Sequence, residues 1–287
     1  MALTTLAYHI ENKLTIKSDK LDIDKLSTYH LNMLLSPYEF SFSVYDPIDN
    51  RCLRLESFTF PEKHVPGKND KMLLEIFEAN HVLPAAFWKK INIFISNRSY
   101  SIIPNEIYSL ETAKKILGFD SQWNEEKDSM SVQEHSQFHI VSGYSKEINN
   151  FFKQLYPNRK VNINPVLKNL ITQTYETKMT VFLDEKLLTI VAYKNGFSFC
   201  NTYDYKNMDD AIYYSMLVYK EMNMNPETVR TYVYGNSENA SILQTRLFKY
   251  IRYVLLGKRP EGLKFCYKFD LIEDNRFFGL LNYSPND

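Results

Sequence analysis

The chain has 287 residues, enough for one large domain or two of ordinary size. With 44% hydrophobic and 24% charged residues, it has the makeup of a folded globular protein and is not disordered throughout. Lys plus Arg and Asp plus Glu number 34 each, so the net charge is zero; no global field draws the protein to nucleic acid or anionic lipid, and such binding would need a local patch.

In chain order, three short strands are expected at residues 29–35, 40–45 and 51–60. Ser36-Pro37 breaks the first from the second. In the second, Phe40, Phe42 and Val44 alternate with Ser41 and Ser43, which is the period of a strand. Asp46-Pro47-Ile48-Asp49-Asn50 has turn chemistry. Residues 70–80 carry Leu73, Leu74 and Phe77 at helical spacing, and residues 91–96 read as the next strand. The polar stretch 121–136, SQWNEEKDSMSVQEHS, is expected to be a mobile excursion. A strand at 137–142, a helix at 146–156 and another helix at 166–173 follow.

The second half repeats the order. Strands are expected at 179–183, 187–193 and 197–203, with Asp184-Glu185-Lys186 and Asn195-Gly196 as their hairpin turns; Asn-Gly suits a turn that needs positive φ. Asn207 caps a helix to about Asn223, with Asp209 and Asp210 in its first turn and Ile212, Met216, Leu217 and Met222 inward. A strand at 229–234 ends at Gly235, and residues 237–256 read as one helix up to Gly257. The order β-β-β-α-β-α thus occurs twice, about 140 residues apart. A three-strand antiparallel meander crossing over into a parallel strand is the core unit of the ribonuclease H-like fold. The expected architecture is therefore α/β: a duplicated ribonuclease H-like, actin-like ATPase fold. Each of its two lobes, 1–176 and 177–287, should have a mixed five-stranded sheet flanked by helices.

Three segments, 38–60 (YEFSFSVYDPIDNRCLRLESFTF), 102–108 (IIPNEIY) and 180–256, resemble an uncharacterised family of bacterial proteins, a domain of unknown function described as having an actin-like ATPase fold. The resemblance covers most of the chain. It implies the fold and supplies no activity.

An actin-like ATPase holds its nucleotide between the lobes, where each lobe offers a tight hairpin with an Asp and a Gly. The glycine lets backbone amides approach phosphate, and the aspartate organises metal and attacking water. This chain has 8 glycines where about 20 is usual, and none precedes Gly67. Its first hairpin reads Ser36-Pro37-Tyr38-Glu39. Its second has Asp184 where a catalytic acid could sit, followed by Glu185 and Lys186 in place of glycine. Asp46 and Asp49 fit turn formers better than metal ligands. Two readings of Gly235-Asn236-Ser237-Glu238 stay open: a loop at a helix N-terminus contacting a small molecule, or an ordinary strand-to-helix connection with Ser237 as N-cap.

Gly235, Asn236, Ser237 and Asp184 are therefore the candidate binding residues, with no catalytic residue, metal or cofactor expected. His135 and His139 are four apart but have no third ligand nearby in sequence. Lys258 and Arg259, in a loop after the last predicted helix, are the candidate RNA contact; Lys90, Arg98, Lys114 and Lys115 form no stripe with them. Cys52, Cys200 and Cys266 are an odd, widely spaced set. No signal-peptide pattern stands at residues 1–14, and no long apolar run occurs, so a cytoplasmic protein that does not insert in membranes is expected. The expected function is that of a catalytically silent binding or scaffold module with a protein partner. A divergent nucleotide-binding ATPase-like enzyme and an RNA-associated accessory factor are the alternatives.

Overall fold

A computed structural model describes residues 10–119, 123–235 and 237–284; of Ser237 only the backbone is described. The first lobe begins with β1 (Glu11–Lys17), β2 (His30–Leu35), β3 (Glu39–Asp46), β4 (Arg51–Thr59), α1 (Lys71–Ala79) and β5 (Lys90–Ile95). An inserted unit follows, made of β6 (Tyr100–Pro104), α2 (Leu110–Phe119), β7 (Asp128–Glu134) and β8 (Phe138–Ser145). Next come α3 (Lys146–Leu155), β9 (Val161–Pro165) and the single turn α4 (Leu167–Leu170). The second lobe is β10 (Lys178–Leu183), β11 (Leu187–Tyr193), β12 (Phe197–Asp204), α5 (Met208–Glu221), β13 (Arg230–Gly235), α6 (Ser237–Leu247) and β14 (Tyr253–Leu256). A C-terminal segment ends in the short helix α7 (Phe278–Leu281).

The two large sheets share one topology. In the first, the order is β1-β4-β3-β2-β5-β9; in the second it is β12-β11-β10-β13-β14. Strands β4-β3-β2-β5-β9 correspond in order and direction to the five strands of the second sheet, with the meander antiparallel and the last two strands parallel to its first. The first sheet gains a sixth strand because residues 11–17 add antiparallel to β4 at its open edge. Both faces of the first sheet's central strands are covered, but unequally: Leu31, Met33 and Leu35 of β2 make one face apolar, while the other is mixed, with Leu34 beside Phe94 and with buried Asn32 accepting from Asn92 Nδ2 (2.7 Å).

Four sequence expectations change. Residues 128–134 form β7 rather than a loop, since Met130 and Val132 alternate with Ser129 and Ser131 and pair with β8. The predicted helix 237–256 stops at Leu247, and residues 253–256 form β14, parallel to β13, with Val254 buried between exposed Tyr253 and Leu255. The helix at 166–173 shrinks to α4. In α5 the buried stripe is Ala211, Ser215, Val218 and Tyr219, while Ile212, Met216, Leu217 and Met222 are only half-buried. The stripe runs from small Ala211 and Ser215 to Tyr219, whose buried hydroxyl donates to the Val229 carbonyl oxygen (3.0 Å).

The lobes share a core. Phe94 and, from the insert, Phe138 and Ile140 pack with Leu167 and Leu170 of α4 and with Phe182, Val191 and Tyr193 of the second sheet. The C-terminal segment then returns to the first lobe, where Phe269, Ile272, Leu280 and Leu281 cover Ile16, Cys52 and Leu55.

Candidate functional site

The two hairpins that would face a nucleotide face each other. In the first lobe, Pro37 has no amide hydrogen, and the Glu39 N–H donates to Ser36 Oγ (3.1 Å) within its own turn. In the second, the Glu185 N–H donates to Asp184 Oδ1 (2.7 Å). Both tips thus bind their amides with their own side chains, where a phosphate cradle would point them outward.

Asp184 then reaches across. Ser36 Oγ donates to its Oδ1 (3.4 Å) and Ser96 Oγ, at the end of β5, donates to its Oδ2 (3.1 Å). Tyr205 holds the backbone of the same residue through its hydroxyl, 2.9 Å from the Asp184 carbonyl oxygen. Lys186 places its ammonium 5.4 Å from the centroid of the Tyr38 ring. Burial, reinforced by the charge of Glu39, pushes the Asp184 carboxyl up to about 6. Glu39 accepts hydroxyl hydrogens from Ser41 and Ser57, both at 2.7 Å. The site is a latch in which the Asp184 carboxyl is held by the hydroxyls of Ser36 and Ser96.

Beside the latch lies a cavity of about 370 Å³, bounded by Glu39, Asp184, Glu185, Gly235 and, from the C-terminal segment, Arg276 and Phe277. Its wall carries three carboxyl groups, Glu39, Asp184 and Glu185, against two cations, Lys13 and Arg276, a balance that does not favour a polyphosphate. Gly235 has φ +130°, and a β-carbon there would stand 2.2 Å from the Leu183 carbonyl oxygen, so only glycine fits. Its N–H donates to the Asn275 carbonyl oxygen (2.9 Å), and its own carbonyl accepts from Asn275 Nδ2 (3.2 Å). Asn236 lies outside the described residues, as does the side chain of Ser237, whose backbone opens α6. The structure thus brings Asp184 and Gly235 to one cavity, with the Gly235 backbone already engaged by Asn275.

The remaining candidates go elsewhere. Asp46 Oδ1 accepts the Ile48 amide within its turn (2.9 Å), and Asp49 pairs with Arg51 (3.2 Å) and Lys264 (3.6 Å). His139 stacks on Tyr108 and His135 on Phe138. Arg259 does not offer its guanidinium to solvent as the RNA reading requires. It donates to the carbonyls of Phe269 (2.5 Å) and Ile272 (2.6 Å), pairs with Asp274 and lies against the Phe265 and Phe269 rings. Lys258 alone of the pair is exposed.

Sequence reasoning missed the Ser36 and Ser96 partners of Asp184, and it missed Asn275, Phe277 and Phe278 altogether. The aromatic pair after Asn275-Arg276 was a visible signal of a buried anchor, but nothing local tells which lobe it anchors to.

A protein of Bacteroides thetaiotaomicron with an actin-like ATPase fold and unknown function superposes with a TM-score of 0.68 at 22% identity, covering 83% of this chain and 93% of that one. A chain of the PilM–PilN type IV pilus biogenesis complex superposes with a TM-score of 0.55 at 12% identity, covering 88% and 96%. At these identities the likeness shows the fold: the chain has the actin-like ATPase architecture. No curated protein matches the chain. Residues 18–254 match the family described as protein of unknown function (DUF3822), and the chain belongs to that family.

Proposed function

We propose that the protein is a catalytically silent actin-like module that works as a binding scaffold for another protein. The observation that carries this reading is the insertion of Asp184 between Ser36 and Ser96, which closes the two hairpin tips on one another where a nucleotide's phosphates would lie. A polyphosphate with Mg²⁺ needs converging free amides and a fixed metal. Here the Glu39 and Glu185 amides are taken by Ser36 and Asp184, and the Glu39 and Glu185 carboxylates oppose an anion, offset only in part by Lys13 and Arg276. The PilM–PilN structure is of a complex between proteins, which supports protein docking as a use of this fold by analogy only.

We place the lobe boundary at 176/177, with the C-terminal segment belonging to the second lobe in sequence and to both in packing. Among the described residues no helix is long and apolar enough to cross a membrane, and the free thiols of Cys52, Cys200 and Cys266 suit the cytoplasm. Isothermal titration with ATP and Mg²⁺, run beside a phosphate-release assay, tests the reading. The expected result is neither micromolar affinity nor turnover. A dissociation constant below about 10 μM, or about −7 kcal/mol, that is abolished by Asp184→Ala would establish the nucleotide-binding alternative, with Asp184 and Gly235 as its contacts.

A further inference from the structure

We infer that residues 273–284 form a displaceable strap that walls one side of the interlobe cavity and covers Phe182 and Tyr234 from within the chain. This goes beyond the scaffold reading and rests on the packing of the segment alone. After Arg259 fixes the turn at Phe269 to Ile272, the chain crosses the cleft at Asn275, which bonds Gly235 in both directions. It then inserts Phe278 against Tyr234 (ring centroids 4.5 Å) and Phe182 (5.8 Å). Gly279 passes so close to Val166 and Leu170 that a β-carbon would stand 2.9 Å from the Val166 side chain, and its carbonyl accepts from Asn169 Nδ2 (2.7 Å). Tyr283 ends the crossing with its hydroxyl 3.1 Å from His30 Nδ1 in the first lobe. One short segment thus touches both sheets and forms one wall of the cavity.

Three features make this segment able to leave while the sheets stay whole. Its helical bonds are its own: the amides of Leu280 and Leu281 donate to the Phe277 carbonyl and that of Asn282 to the Phe278 carbonyl. No residue of 273–284 belongs to either sheet ladder. Phe277, at φ +59° and ψ +19°, holds a bulky side chain in the left-handed region, a strain released when the segment departs. Departure bares the Phe182 and Tyr234 rings and widens the cavity.

Native-state hydrogen exchange on the full chain tests the strap, because sub-global opening is read directly as amides that exchange without global unfolding. The amides of Leu280, Leu281 and Asn282 should exchange at least about 100-fold faster than those at the centres of β10 and β13, with little dependence on denaturant. Phe278→Ala should speed the same three amides a further tenfold or so and leave the β10 and β13 rates where they are. If the three amides exchange at the rate of β10 and β13 in the wild type, with the same denaturant dependence, the segment opens only with the whole molecule and the strap does not exist. The wild-type measurement decides alone should Phe278→Ala fail to fold.

Discussion

At the scale of single residues, Asp184 is where family chemistry and the packing of this chain part company. A carboxylate serving a metal is held ionised by it; this one is raised by burial and by Glu39, and its partners are hydroxyls. Because the folded carboxyl titrates at about 6 against 3.8 for the free group, the protonated form is the better fit. Its contribution to stability is therefore fully present below pH 3.8 and is lost as pH rises through about 6. The size is roughly 1–3 kcal/mol, allowing for partial exposure. Asp184→Asn keeps the shape and removes the charge. Urea unfolding from pH 4 to pH 7.5 should show the wild type losing that amount relative to Asp184→Asn, with the variant equal or more stable at pH 7.5. A variant less stable than the wild type at pH 7.5 would mean that the ionised carboxylate is wanted, as in a metal or nucleotide site.

At the scale of elements, what was legible followed from strict local periods. The meander strands, the Asn207 cap and the Asn195-Gly196 turn each carry their signal within a few residues, and the cap and turn are realised with Asn207 accepting from two amides and Asn195 at φ +57°. The errors arose where the deciding contact is distant. Residues 253–256 are four apolar or aromatic residues that suit a helix or a strand, and only the free edge of β13 selects the strand. The α5 face was read from bulk, yet the buried positions are Ala211, Ser215, Val218 and Tyr219, a stripe set by the sheet it packs on and not by side-chain size. The candidate site was legible as missing glycines; its closure was not, because Ser36 and Asp184 are 148 residues apart. The corrected faces predict an asymmetry. Leu243→Ala in α6, at a fully buried position, should cost about 2–5 kcal/mol, whereas Leu217→Ala in α5 should cost less than about 1 kcal/mol. Equal losses in urea would put the inward face of α5 back on Leu217.

For the whole molecule, the question is whether the lobes are two bodies or one. Lobes of a nucleotide-closing machine need an interface polar and loose enough to hinge, while a large apolar interface abolishes relative motion. Here ten buried apolar residues from both sheets, the insert and α4 form one interlobe cluster. Exposing even a few of these side chains, at about 1.5–3 kcal/mol for each fully buried one, is a large loss beside the ~5–15 kcal/mol by which a whole domain is ordinarily stable. Separating the lobes would expose this cluster, so the two should unfold together. Trp88 is buried in the first lobe and, with Trp123 of the insert replaced by Phe in every chain compared, is the one tryptophan left, none occurring in residues 177–287, so its fluorescence reports the first lobe alone. Phe182 lies in the second lobe, at the cluster between the sheets. Phe182→Ala should cost about 3–5 kcal/mol. It should move the Trp88 midpoint in urea by the same amount as the far-ultraviolet circular dichroism midpoint, the two curves superposing in the wild type as in the variant. A Trp88 transition left in place while the dichroism curve splits in two would show lobes that fold separately, and with it a cleft free to open as an ATPase requires.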